Sequence, residues 1–210
     1  MMFYFVKTPS LIKKIFPSLV WDIKTVGKNL YLTFDDGPHP IATNFVLDEL
    51  KKYDAKATFF CLGKNVVAHP DIYKRILDEG HKVGNHTFNH LNGRKVKTDV
   101  YFDDIKKAAE HINSNLFRPP YGRITFSQLK SLKKLKLATE NCRLVMWDIL
   151  SGDFDKRISP KKCATNVIQN SINGSIIVFH DSEKALERLQ FALPEVLKFF
   201  SEKGYKFRSL

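Results

Sequence analysis

Leu30-Tyr31-Leu32-Thr33-Phe34-Asp35-Asp36-Gly37-Pro38 is the stretch from which the fold can be read. The apolar run over 30–34 reads as a buried strand, and Gly37-Pro38 as the turn that ends it. Two adjacent acids therefore sit where a strand stops and a loop begins. Farther along, His86-Thr87-Phe88-Asn89-His90 carries two histidines four apart, a spacing that puts both imidazoles on one face if the segment is helical. One carboxylate and two such histidines make a candidate divalent-metal site with room left for water. The second carboxylate is then a candidate base beside that water. The arrangement points to a hydrolase.

On either side of this stretch, short apolar runs alternate with amphipathic ones. Strands are predicted over 57–62, 81–83, 116–118, 143–147, 175–180 and 205–208. Helices are predicted over 42–53, 71–79, 99–114, 127–134 and 160–172, and in a last segment with Leu186, Leu189, Leu193, Val196, Leu197 and Phe200 on one face. Such alternation implies a mostly parallel sheet. Asp35-Asp36, His86, Arg118, Asp153 and His180 each fall at or just after the end of a separate predicted strand. Convergence from many strands onto one rim fits the C-terminal face of a β/α barrel better than the single switch point of an open sheet. No phosphate-binding glycine fingerprint follows the first strand, which argues against a nucleotide.

The chain has 210 residues, 43% hydrophobic and 27% charged, which suits one globular domain. Its net charge of +12 reads either as a solvated lysine-rich surface or as attraction to an anionic partner. The basic residues are scattered, with no arginine-rich tract, so no nucleic acid is expected as a partner. Cys61, Cys142 and Cys163 are odd in number and far apart, which argues against a disulfide framework and for a reducing compartment. Residues 1–20 are apolar but broken by Lys7, Pro9, Lys13-Lys14 and Pro17. They show neither an uninterrupted signal-peptide core nor a membrane span. The expectation is an arm over residues 1–28, packed on a catalytic domain over 29–210 or touching a membrane surface, with packing favoured. A cytoplasmic or membrane-peripheral location follows, with export left open, and a monomer is favoured.

Three further segments carry candidate chemistry. In Arg118-Pro119-Pro120-Tyr121-Gly122 the paired prolines hold the backbone extended, which would fix a backbone N–H toward an oxyanion. Arg118 would clamp a carboxylate and keep it ionised. Between Trp147-Asp148 and Asp153-Phe154, the aromatics are either core or a sugar platform, and Asp153 would orient a histidine. In Val178-Phe179-His180-Asp181, His180 is either a satisfied rim residue or a general acid. Asp103-Asp104 reads as an ordinary acid pair on a solvated helix.

Taken together, these motifs resemble the polysaccharide deacetylases of carbohydrate esterase family 4, the NodB-like deacetylases. The resemblance runs from about Asn29 to Phe207 and includes Ala57-Thr58-Phe59-Phe60 as the second strand. It implies a distorted single (β/α) barrel, TIM-barrel-like, with seven or eight strands. It also implies one divalent metal on Asp36, His86 and His90, usually zinc, with cobalt, nickel or manganese as alternatives. Asp35 would be the base, held by Arg118. The backbone N–H of Tyr121 would face the oxyanion, and His180, tuned by Asp153, would protonate the leaving amine. Pro119, Trp147, Phe154 and Val178 would line the substrate region. Phe154 stands where the family usually has Trp, and Val178 where it usually has Leu, which alters pocket volume. The implied reaction removes N-acetyl groups from a GlcNAc-containing glycan, peptidoglycan- or chitin-like, releasing acetate. The alternatives are an O-acetyl xylan-type esterase, a small-molecule amidase, and a glycan-binding module without activity.

Overall fold

The structure, a computed structural model, describes residues 4–210; Met1 to Phe3, the first residues of the expected arm, lie outside the described residues. In chain order the elements are α1 (Ser10–Ile15), β1 (Asn29–Asp35), α2 (Ala42–Lys52), β2 (Thr58–Cys61), α3 (Gly63–Ala68), α4 (Pro70–Asp78) and β3 (Lys82–Asn85). They continue with α5 (Thr98–Ala109), β4 (Leu116–Phe117), α6 (Phe126–Leu132), β5 (Lys136–Leu137), β6 (Glu140–Asn141) and β7 (Arg143–Leu144). The last are β8 (Ile149–Leu150), α7 (Pro160–Asn170), β9 (Ile176–His180), α8 (Leu186–Glu202) and β10 (Lys206–Phe207). The main sheet follows the order β7-β4-β3-β2-β1-β9-β8, with β10 added to β1, and its strands pair in parallel. The strands at the two ends of this path, β7 and β8, are separated in sequence only by 145–148. The sheet therefore curls round on itself as the expected distorted (β/α) barrel.

Strand alternation decides what each face does. Leu30, Leu32 and Phe34 of β1, with Ile177 and Phe179 of β9, point outward into a core shared with Val46, Leu47, Leu189, Leu193 and Val196 of α2 and α8. Tyr31, Phe60, Leu116 and Ile176 fill the interior. Burying two or three aliphatic side chains per helix at ~1.5–3 kcal/mol each is what fixes α2 and α8 on the sheet.

Three local features differ from the sequence expectation. The strand expected over 143–147 is β7 followed by a crossing segment, and β8 is a separate strand at the other end of the sheet. Helix α3 and the β5–β6 hairpin are additional, each too short to leave a periodic signal. The segment over 86–90 is a loop and not a helix, because Thr87 and His90 hold φ of 66° and 63°. Residues 4–8 run along β8, where Leu150 N donates to Val6 O and Thr8 N to Asp148 O, both at 2.8 Å.

Candidate active site

The first acid arrives by alternation. Thr33 and Asp35 share the interior face of β1 and meet the same guanidinium. The second arrives by a break in alternation, since Asp36 has φ of 84° and turns back toward the site. That left-handed residue is held from outside: Asn65 Nδ2 of α3 donates to Asp36 O at 2.7 Å. Gly37 N donates to Asp181 Oδ1 at 3.0 Å, and Thr43 Oγ1 to Asp181 Oδ2 at 2.5 Å. A Cβ on Gly37 would overlap the Asp181 carboxylate, so the turn requires glycine. Burial raises the Asp181 carboxyl to about 8.

The histidines converge on Asp36 without a helix. His86 follows β3 and is buried; its Nδ1 lies 2.8 Å from Arg118 O, and because a carbonyl only accepts, Nδ1 carries the proton. Nε2 is left as a lone pair 3.7 Å from Asp36 Oδ1. His90 Nε2 lies 3.1 Å from the same oxygen, and His90 Nδ1 is 3.2 Å from the Tyr121 hydroxyl. Burial pushes His86 down to about 4, which keeps the imidazole neutral. Burial works to raise the Asp36 carboxyl, but the His90 contact and the fields of His180 and His86 prevail and hold it well below the usual carboxylate range.

Among the described residues, Asp36 Oδ1 is buried and has no hydrogen-bond partner of good geometry. One donor atom from each of Asp36, His86 and His90 lies within 4.8 Å of the others. A buried carboxylate oxygen facing two imidazole nitrogens fits a divalent cation.

The loop that carries these histidines is braced by α5. Asp104 accepts from Phe88 N at 3.0 Å, Asn89 N at 2.9 Å and Asn89 Nδ2 at 2.6 Å. The reading of Asp103-Asp104 as a solvated pair is therefore corrected: Asp103 is exposed, but Asp104 is buried and clasps the histidine loop. Asn85 Oδ1 adds a bond from Thr87 N at 2.8 Å.

Arg118 is fully buried beneath Asp35. Its Nη1 donates to Asp35 Oδ1 and Thr33 Oγ1, both at 2.7 Å. Nε and Nη2 donate to Val145 O at 3.2 Å and Met146 O at 2.8 Å, carbonyls of the segment that crosses from β7 to β8. One side chain thus closes the gap in the barrel and holds the acid. Asp35 Oδ2 accepts no hydrogen bond among the described residues. Pro119 and Pro120 are buried, and Tyr121 follows with φ of 61° and a backbone N–H that meets no acceptor among the described residues. Gly122, with φ of 64°, leaves room for the Trp147 ring, which a Cβ would approach to 2.6 Å.

Across the site, His180 ends β9 beside Asp35 in register. Asp153 Oδ1 lies 2.7 Å from His180 Nδ1, and Asp153 Oδ2 accepts from His180 N at 2.6 Å. Burial opposes charge on the imidazole, but the Asp153 carboxylate outweighs it, with help from Asp36 and Asp35, and raises His180 to about 9. Phe154 stands edge-on to His180 at 5.2 Å between centroids. Val178 pairs with Thr33 one pleat below and is fully buried, so it underlies the pocket and does not face it.

Residues 22–139 match the family model for polysaccharide deacetylase. The chain belongs to the polysaccharide deacetylase family. It is a NodB-like deacetylase of carbohydrate esterase family 4 in fold and motifs. It is 40% identical over 187 residues to a peptidoglycan-N-acetylglucosamine deacetylase of Bacillus cereus, a match covering 85% of this chain and 66% of that protein. It is 36% identical over 185 residues to the peptidoglycan-N-acetylmuramic acid deacetylase PdaC of Bacillus subtilis, covering 85% of this chain and 37% of PdaC. The chain thus spans just under two thirds of the first relative and little more than a third of the second. Among solved structures, the Bc1960 peptidoglycan N-acetylglucosamine deacetylase superposes with a TM-score of 0.84 at 34% identity, over 97% of this chain and 95% of that one.

Asp35, Asp36, His86, His90, Arg118, Tyr121, Asp153, Phe154 and His180 lie together at one site, whereas Phe34, Phe59 and Phe179 of the same motifs face the outer core. Sequence reasoning missed three braces: Asp104, Asn65 and Asp181. For Asp181 a signal was present, an acid directly after His180 at a strand end. For Asp104 and Asn65 none was, because each acts on a loop distant in sequence.

Proposed function

We propose that this deacetylase-family protein removes N-acetyl groups from a GlcNAc-containing glycan of the peptidoglycan or chitin type, releasing acetate with the aid of a divalent metal. The observation that carries the reading is the opposition of two built halves. Asp36, His86 and His90 face one another within 4.8 Å, and the paired groups Asp35–Arg118 and His180–Asp153 flank them.

Two imidazoles and a carboxylate suit zinc. Bound there, a divalent cation would lower the pKa of water and polarise the acetyl carbonyl. The rest is done by the chain. Asp35, fixed through Oδ1 by Arg118, takes the proton of the attacking water on Oδ2. The Tyr121 N–H, held by its left-handed backbone and by the rigid prolines before it, donates to the oxygen that gains charge. His180, whose Nδ1 is committed to Asp153, delivers a proton from Nε2 to the departing nitrogen. An amine leaves only when protonated, and an imidazolium held to about pH 9 is suited to supply that proton. The half-buried Phe154 and Trp147 flank the site as sugar-facing apolar surface.

Acetate release over a panel of N-acetylated and O-acetylated glycans tests the reading. Release from N-acetyl substrates, abolished by a chelator and restored by zinc, is the expected result. Release confined to O-acetyl esters, or unaffected by chelation, would overturn it.

A further inference from the structure

Residues 4–8 lie antiparallel along β8, an end strand of the sheet. Leu150 N donates to Val6 O at 2.8 Å, Lys7 pairs with Ile149, and Thr8 Oγ1 donates to Trp147 O at 2.8 Å. Reading back from Thr8, this register carries the arm toward the C-terminal end of β8, where the site lies. It brings the Tyr4 hydroxyl against Gly152, where an added Cβ would come within 2.9 Å of it. The same hydroxyl donates to Asp155 Oδ2 at 3.2 Å, an oxygen also held by Arg157 at 2.7 Å. The Tyr4 ring packs on Phe154 with centroids 5.2 Å apart, and Phe154 in turn packs on His180 at 5.2 Å. A continuous run of ring contacts, one tilted and one edge-on, therefore leads from the arm to the imidazole.

We propose that Tyr4 is a positioning residue, which holds the Phe154 wall against His180 and so sets how the acetylated sugar seats beside that imidazole. The inference rests on the deacetylase reading for its kinetic part. His180 has its own two bonds to Asp153, so its orientation survives loss of Tyr4; what is lost is the backing of Phe154. The effect belongs in substrate seating rather than in the proton transfer.

The test uses the full chain with N-acetylated chitotetraose. Tyr4→Ala is expected to raise KM about 5-fold with kcat changed less than about 2-fold, the signature of lost uniform binding. Tyr4→Phe, which keeps the ring, should restore most of the KM. In a Phe154→Ala background Tyr4→Ala should add nothing, because the two act through one wall. Hydrogen exchange of the backbone over 151–157 should quicken in Tyr4→Ala and not in Tyr4→Phe. A Tyr4→Ala protein that is folded, with unchanged KM or with an effect additive to Phe154→Ala, overturns the proposal. Unchanged exchange over 151–157 overturns it as well, whatever the substrate. If the unaltered protein releases no acetate from any N-acetylated glycan of the panel while exchange in Tyr4→Ala quickens, the deacetylase reading fails and Tyr4 stands as the residue that holds the Phe154 wall.

Discussion

On the proposed reading, the proton-donating side of the site rests on the end of β9 and the turn after β8, whereas the metal-binding side rests on loops held in left-handed backbone. His180 sits at the end of β9 and needs one partner, Asp153, which grips both its ring and its amide. Asp36, Thr87, His90 and Tyr121 all have positive φ, between 61° and 84°. Each such residue costs of order 1–3 kcal/mol and persists only where surroundings over-determine it. The surroundings are identifiable: Asn65 and the Asp181–Gly37 contact hold Asp36, Asp104 and Asn85 hold the histidine loop, and the buried prolines hold Tyr121. Side chains from separate strands must crowd onto one point, and an extended strand cannot turn its end residues that sharply. The strain is concentrated where convergence is demanded and absent where a single strand end suffices.

That contrast can be broken at its strongest point first. Asp36→Ala or His90→Ala should abolish metal uptake and acetate release together, measured by metal analysis of the purified protein and by acetate assay. Asp35→Asn should separate the two, keeping metal while losing about 10²–10⁴-fold in kcat. Full activity in that variant would remove Asp35 from the base role. His180→Ala should slow amide cleavage by about 10²–10⁴-fold without affecting metal content, since this side holds no ligand.

Two smaller effects sharpen the comparison. On the proposed mechanism His180 acts in its protonated form, and Asp153 raises its pKa to about 9. Activity should therefore fall as pH rises through that region. Asp153→Asn, which removes the raising charge, should move the fall to lower pH in a pH–rate profile. On the opposite side, Asp104→Ala touches no ligand atom. It should nonetheless weaken metal affinity about 10-fold in a chelator competition, the lower end of what outer-shell supports contribute. An unchanged affinity would mean that the histidine loop holds its shape without α5.

Most strands and helices were legible in the chain because burial imposes a period on it. Leu30, Leu32 and Phe34 alternate with Thr33 and Asp35, and α8 repeats its apolar residues at helical spacing. Helix α3, β8 and the β5–β6 hairpin escaped because two to six residues carry no period. The two histidines at 86 and 90 were recognised by spacing, but the helical geometry that the spacing allows is not the one adopted. Asp35-Asp36 and Asp103-Asp104 are the same dipeptide, and only the fold separates a pair that faces the site from one that splits between solvent and a supporting clasp.

Residue types and their order along the chain were enough to establish a β/α barrel, its family and the side chains gathered at its rim, because local hydrophobic pattern and motif chemistry are written in sequence. Which nitrogen of His86 carries the proton, which loops are strained and what braces them, and the reach of Tyr4 across to Phe154 were decided only by tertiary structure. Those features depend on hydrogen bonds and ring contacts between residues up to 150 positions apart, as with Tyr4 and Phe154, and no local pattern encodes such distances.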